Sequence, residues 1–352
     1  MKILVFSDNH WCEYSSILRS QGTKYSTRLE NQIKCLNWVE RQAEKYKVNE
    51  IICLGDFFDK SELNCNEITS LNEVCWSNIN HTFIVGNHEI NSRNLFYSSA
   101  SIFDNKFVVE DKPDFYYDDD TKTQICFLPY CFEHKPLNEY FDEKPDGYKR
   151  IVFSHNDIAG IQMGKFISQD GFEISDIENS CDLFINGHLH NGQQITDKII
   201  NLGNLTGQNF SEDGFVYKHN IMLIDTDNGS YELIQNPYAI NFYKIDFCNK
   251  EIDYINKISS KIYNAVLSIS CDEQDYDYIK NRFHPSYHSD LIPHHCSVLA
   301  CKINVSVDKS NIDKEDRVEN LRVDHIQQFR DFIIENMGKS EVILQELAEV
   351  TK

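Results

Sequence analysis

The sequence predicts an α/β sandwich followed by a smaller α/β domain and closing helices. Three observations predict it. In the first half, short apolar runs alternate with stretches of helical periodicity, as in layered α/β proteins. Several of those runs end directly before a cluster of Asp, Asn or His, and ligands in such sheets collect in the loops beyond strand ends. The composition then changes near Asn236-Pro237, and a second, shorter alternation begins.

The elements follow in order. Ile3 to Phe6 is the first strand, and the polar stretch Glu13 to Ser26 is a loop. A helix from about Arg28 to Tyr46 presents Leu29, Ile33, Leu36, Trp38, Val39 and Ala43 as a broad apolar face. Ile51 to Leu54 is a strand, residues 65 to 80 are helical, and Thr82 to Val85 is a strand again. Ile125 to Leu128, Ile151 to Phe153 and Leu183 to Ile185 continue the pattern, and Ile199 to Leu202, Phe215 to Ile224 and Ser230 to Ile234 complete the sheets. Asp118-Asp119-Asp120 is a solvated turn.

Residues 1–237 therefore form the larger domain and 238–310 the small one. The small one reads strand (Phe242 to Phe247), helix (Asp253 to Tyr263), strand (Ala265 to Ile269), helix (near Asp275 to Arg282) and strand (Val298 to Val307). Residues 311–352 hold two helices, Ile326 to Met337 and Val342 to Val350, with Asp324 and Ser340 as caps and Gly338 as the stop between them.

Composition narrows the class. At 352 residues, 41% of them hydrophobic, the chain builds a sizeable core plus a second domain. No apolar run approaches a membrane span, and the amino terminus runs straight into a strand, so neither a signal peptide nor a membrane partner is expected. Twelve scattered cysteines without a CxxC pair indicate reduced thiols and a cytoplasmic setting. With 34 Lys+Arg against 55 Asp+Glu, the net charge of −21 argues against a broad nucleic-acid surface, but not against a local path or a partner that supplies phosphate contacts.

Five motifs carry the chemistry: Asp8-Asn9-His10, Gly55-Asp56-Phe57-Phe58-Asp59, Gly86-Asn87-His88-Glu89, Ser154-His155-Asn156 and Gly187-His188-Leu189-His190. Any one arises by chance, but the ordered set supplies carboxylates, imidazoles and an amide at strand ends. Asp8 and His10 alternate after a strand and can face one site. Sorted this way, a first metal site takes Asp8, His10, Asp56 and His190. A second takes Asp56, Asn87, His155 and His188, with Asp56 bridging. Mixed N/O ligation without thiolate suits Mn, Fe or Zn. Two ions about 3.5–4 Å apart activate water and clamp a phosphate. His88, beside a ligand, is the general acid for the leaving oxygen. Asp59 orients His88 or a ligand, or else caps a helix. His294-His295-Cys296 lacks partners at zinc-like spacing and reads as a loop. Trp11, Tyr14 and Tyr25 read as loop packing rather than base stacking.

At these residues the chain resembles the calcineurin-like metallophosphoesterases, and more narrowly the SbcD group of double-strand-break repair nucleases. The narrowing rests on the helical region after Gly55-Asp56-Phe57-Phe58-Asp59. It rests also on Asn201-Leu202-Gly203-Asn204-Leu205-Thr206 with Phe210-Ser211-Glu212, and on the small domain after residue 237, where that group has a DNA-capping domain. The resemblance implies a four-layer α/β/β/α sandwich and two divalent ions, manganese in particular. It further implies DNA as substrate, a homodimer and an SbcC-type coiled-coil ATPase partner. The closing helices would dock that coiled coil or pack on their own domain. Glu89 stands where these nucleases usually have Asp, and Gly-Asn-His-Glu is more familiar in protein phosphatases. Those phosphatases, however, carry Arg-Gly after the second motif, where this chain has Lys60 and Ser61. The expected function is a dimetal DNA exo/endonuclease of the SbcD type. The alternatives are a phosphatase or small-molecule phosphodiesterase, and a non-catalytic scaffold for the ATPase.

Overall fold

The computed structural model describes residues 1–15, 24–91, 97–103, 107–163, 166–259, 261–283 and 298–306. The expected terminal helices and the His294-His295-Cys296 segment lie outside the described residues.

Two six-stranded sheets stack face to face. The first runs Ser230–Gln235, Asn220–Asp225, Lys2–Phe6, Glu50–Cys53, Asn80–Ile84, Val108–Glu110. The second runs Gln193–Gln194, Ile199–Asn201, Leu183–Asn186, Lys149–Ser154, Thr123–Leu128, Asp114–Asp118. Within each sheet the strands that precede the motifs run parallel to one another, so their carboxyl ends share one edge.

Side-chain alternation explains the layering. Along the first strand Ile3 and Val5 face Ile125, Phe127, Ile151, Phe153 and Ile185 of the opposite sheet. Leu4 and Phe6 face the other way, onto Leu29, Leu36, Val39 and Ala43 of the helix. Strands buried on both faces read as unbroken apolar runs, which is why periodicity showed four or five apolar residues in a row. The far face of the second sheet (Cys126, Leu128, Val152, Phe184) is covered by Leu137, Phe172 and the short Ile174–Ser180 helix. The helix of residues Thr27–Tyr46 starts where Ser26 Oγ accepts from Leu29 N and ends on Lys47 at φ 53°. Losing such a cap costs about 1 kcal/mol.

The expected helix over residues 65 to 80 is much shorter: Cys65–Ser70 and one tight turn, Leu71–Glu73. Asn64 and Glu67 form a reciprocal cap at its start. At its end Val74 is extended and Trp76 Nε1 donates to Leu71 O at 3.2 Å, so tertiary docking of an indole stops the helix. Likewise, the strand expected from Phe215 begins only at Asn220, because Val216 and Tyr217 turn back onto Asp213 O. The short Asp114–Asp118 edge strand was not foreseen.

A third sheet orders Asn241–Asp246, Ala265–Asp272 and Val298–Ser306, with helices Ile252–Ser259 and Tyr276–Phe283 on a core of its own. Among the described residues no helix is long and apolar enough to cross a membrane.

Candidate metal centre

All five motifs emerge from strand ends, but not by strand pleating. Asp8, His10, Asp56 and His188 have φ of 49°, 47°, 46° and 74°, a left-handed region that costs a non-glycine residue about 1–3 kcal/mol. Backbone bonds hold them there: Asp8 N donates to Gly55 O at 3.1 Å and His10 N to Asp56 O at 2.9 Å. Asp8 and His10 thus converge through a turn braced by the second motif. Gly55 is itself at φ 120°, and a Cβ there would lie 2.5 Å from His155 Nδ1. Only glycine lets that loop and that imidazole approach so closely.

Each imidazole turns one nitrogen outward to an oxygen and the other inward. His10 Nδ1 meets Asp59 Oδ1 at 3.0 Å and His190 Nδ1 meets Glu212 Oε1 at 2.9 Å. His155 Nδ1 meets the Leu54 carbonyl at 3.0 Å, and His188 Nε2 meets Asp157 Oδ1 at 3.2 Å. Those contacts place the N–H groups outside and the lone pairs inside. The inward nitrogens then crowd. His10 Nε2 and His190 Nε2 face each other at 3.0 Å, and His188 Nδ1 faces Asn87 Oδ1 at 3.1 Å.

The carboxylates match this pattern. Asp8 Oδ2 accepts from Ser7 Oγ and from His188 N, while buried Asp8 Oδ1 has no hydrogen-bond partner. Asp56 Oδ1 accepts from His88 N at 3.0 Å, and Asp56 Oδ2 lies 3.1 Å from His155 Nε2 and 3.8 Å from His10 Nε2. The buried His155 Nε2, although that close, forms no well-directed hydrogen bond. Burial raises Asp56, but the charge of His155 beside it, with those of His10 and His88, holds its carboxyl well below the usual range. Conversely, burial lowers His155, and Asp56 overrides it, lifting the imidazole to about 9. A proton there uses the same inward lone pair that a cation would.

Among the described residues, three groups could each hold an ion: Asp8, His10 and His190; His10, Asp56 and His88; and Asp56, His155 and His188. Bare buried acceptors, opposed lone pairs and an N/O donor set fit divalent cations. All seven expected ligands, Asp8, His10, Asp56, Asn87, His155, His188 and His190, thus lie in one cluster. His88 sits at its rim with a 41% exposed side chain, its Nδ1 donating to Asp59 O at 2.8 Å. Asp59, also at the rim, bonds His10 and lies 4.0 Å from His88. It caps no helix.

Sequence reasoning missed Asp157 as a partner of His188 and gave Glu212 no contact. It gave no role to Glu89, whose buried carboxylate accepts from the backbone N–H of Asp56 (3.1 Å), Phe58 (2.9 Å) and Gly86 (2.7 Å). Burial, then the charge of Asp56, pushes Glu89 up to about 8. Glu89 is therefore a staple between the second and third motif loops. Trp11 and Tyr25 are buried packing, whereas Tyr14 is exposed. Lys60 is engaged with buried Glu67 at 2.9 Å.

A two-sheet α/β sandwich with Asp and His donors gathered at its parallel strand ends defines a class of metal-dependent phosphoester hydrolases. The chain belongs to the calcineurin-like phosphoesterase family, which matches residues 1–192. That family uses dimetal centres, and its reaction is phosphoester hydrolysis. No protein of curated function matches the sequence. Among solved structures, the chain is similar to an archaeal phosphodiesterase (14% identity, TM-score 0.35, covering 67% of this chain and 99% of that one). It is similar to a Thermus thermophilus protein (11%, 0.39, 66% and 98%) and to a dimetal phosphatase from Danio rerio (12%, 0.37, 67% and 99%).

Proposed function

We propose that the chain is a dimetal DNA exo/endonuclease of the SbcD type. It would work in the cytoplasm on DNA ends as a homodimer with an SbcC-type coiled-coil ATPase, with manganese as its ion. The observation that carries the metal chemistry is Asp56, whose carboxylate stands within 3.1 Å of His155 and 3.8 Å of His10 and so reaches both halves of the cluster. Asp8, His10, Asp56 and His190 would hold one ion, and Asp56, Asn87, His155 and His188 the other. Bound there, two divalent ions supply an activated water and a clamp for the phosphate.

The chain's own residues do the rest. The Asp59 carbonyl fixes the Nδ1–H of His88 at the rim, which leaves Nε2 as the nitrogen for proton transfer. From Nε2, His88 would protonate the departing sugar oxygen, with the Asp59 carboxyl group 4.0 Å from its Nδ1. Nucleic acid as substrate is supported by Tyr130, whose ring lies 5.8 Å from that of His188, and by Phe132, 65% exposed on the same loop. A half-buried ring beside the site with an exposed one next to it can stack bases whatever their sequence. Lys60 is tied to Glu67, so the second motif offers no free cation of the phosphatase kind.

The alternative, a phosphatase or small-molecule phosphodiesterase, is favoured by the charge of −21, which repels long polyanions. Manganese-dependent cleavage of end-labelled duplex and single-stranded DNA separates the two, run beside a small phosphodiester with wild type and His88→Ala. DNA products from wild type, diminished in His88→Ala, are expected. Turnover of the small ester alone, even with the ATPase added, would move the assignment to the alternative.

A further inference from the structure

We infer that Glu212 is a positioning residue for the metal centre, fixing the imidazole of His190 and drawing its own rigidity from the third sheet. The inference rests on the dimetal reading above. Glu212 is 22 residues beyond His190, and its side chain is only 1% exposed. Its Oε1 accepts from His190 Nδ1 at 2.9 Å and from Asn209 Nδ2 at 3.2 Å. Its Oε2 accepts from Asn204 Nδ2 at 2.9 Å and from Gln208 N at 2.8 Å. Four donors on one buried carboxylate leave it little freedom to rotate. The bond to Nδ1 makes His190 the tautomer whose lone pair is on Nε2, the nitrogen that faces His10. A carboxylate behind a ligating imidazole also raises its basicity.

The loop carrying Glu212 is fastened from behind. Gly207 N donates to Ile240 O at 3.0 Å and Gly214 N to Phe242 O at 2.8 Å. Ile240 N donates to Thr206 Oγ1 at 3.0 Å, and the rings of Phe210 and Phe242 lie 5.2 Å apart. The other half of the cluster has a weaker brace: Asp157 meets His188 at 3.2 Å with a side chain 22% exposed. Glu212 therefore acts on one ion of the pair, the one His190 holds.

The test is calorimetric titration of Mn(II) into chelator-stripped full-length protein, with melting in EDTA as the control for folding. Wild type should take two ions. Glu212→Ala should melt in EDTA within a few degrees of wild type yet bind one ion about 10–100-fold more weakly, the other being unchanged. Glu212→Gln, which keeps an acceptor for His190 but loses the charge, should show a smaller loss at that same ion. Asp157→Ala should spare it. Two ions bound by Glu212→Ala as tightly as by wild type would overturn the inference. So would equal weakening of both ions with a lowered melting point, the mark of a merely structural role. If Glu212→Ala does not fold, Glu212→Gln decides alone, by weakening one ion or neither. A wild type that takes fewer than two ions defeats the dimetal reading itself and the inference with it.

Discussion

His81 and His155 are both buried in the same sandwich, one on a strand of the first sheet and the other just after a strand of the second, yet they are opposite kinds of histidine. His81 is closed: Nδ1 meets Ile79 O at 2.8 Å and Nε2 meets Glu40 Oε1 at 2.8 Å, amid Trp76, Phe83 and Phe107. His155 is open: Nδ1 meets Leu54 O, and Nε2 points at Asp56 without a directed bond. A closed polar pair secures a fold, because breaking it leaves a charge stranded in apolar surroundings. An open one has ligand capacity to spare. Burial alone does not separate the two roles; the count of satisfied atoms does.

The largest expected effect falls on the open set. Asp56→Asn should lose both ions, seen as metal content falling to zero, and phosphoesterase activity should fall to background. Retention of both ions would end the idea that this carboxylate is shared. His88→Ala comes next: metal content unchanged, turnover down about 10²–10⁴-fold. Loss of an ion instead would move His88 from acid to ligand.

The closed pair should respond in stability alone. Glu40→Ala should cost about 3 kcal/mol in denaturant unfolding while metal content holds. Its pH dependence has a definite sign. Burial raises the Glu40 carboxyl, but the hydrogen bond and charge of His81 hold it below its ordinary value. A lowered acid stabilises fully above the unfolded value of about 4.3, and the contribution fades as pH falls through the folded one. Wild type should therefore lose its advantage over Glu40→Ala in acid. An advantage that is the same at every pH would show the pair to be packing only.

The smallest effect sharpens the contrast with a third case, a carboxylate that is half-buried and poorly placed. Burial, then Asp114, Asp111 and Glu50, push Glu110 up to about 7. For a raised acid the sign reverses, and stability drains away as pH climbs from the ordinary carboxylate range through 7. Glu110→Gln should accordingly stabilise the protein at pH 8 by on the order of 1 kcal/mol after allowance for solvent screening. Equal melting of variant and wild type at pH 8 would place Glu110 in open water.

Much of this was legible in the sequence because the ligand types sit directly after apolar runs. Asp8, Asp56, Asn87, His155 and His188 each follow a strand by a residue or more, and strand ends on one sheet edge must meet. The alternation of Ile3, Val5 against Leu4, Phe6 likewise gave two buried faces from one run. What remained hidden depends on partners far along the chain. Asp157 is a lone acid next to a motif, and nothing in its spacing points to His188, 31 residues on. Glu212 enters only through the Phe210-Ser211-Glu212 segment that carries the narrower resemblance. Glu89 read as a departure from a pattern because its role lies in three backbone amides, which no side-chain motif reports. The left-handed backbone at Asp8 and His10 replaced the expected strand-like alternation for the same reason: the bonds that hold it come from Gly55 and Asp56.

The Glu89 staple has a consequence for how the protein acquires its ions. With three amides of two loops gathered on one buried carboxylate, the cradle is cast before any cation enters it. Loading is then a matter of filling a mould rather than setting one. Chelation should empty the cradle without unravelling it, and the same chains should refill when manganese is returned.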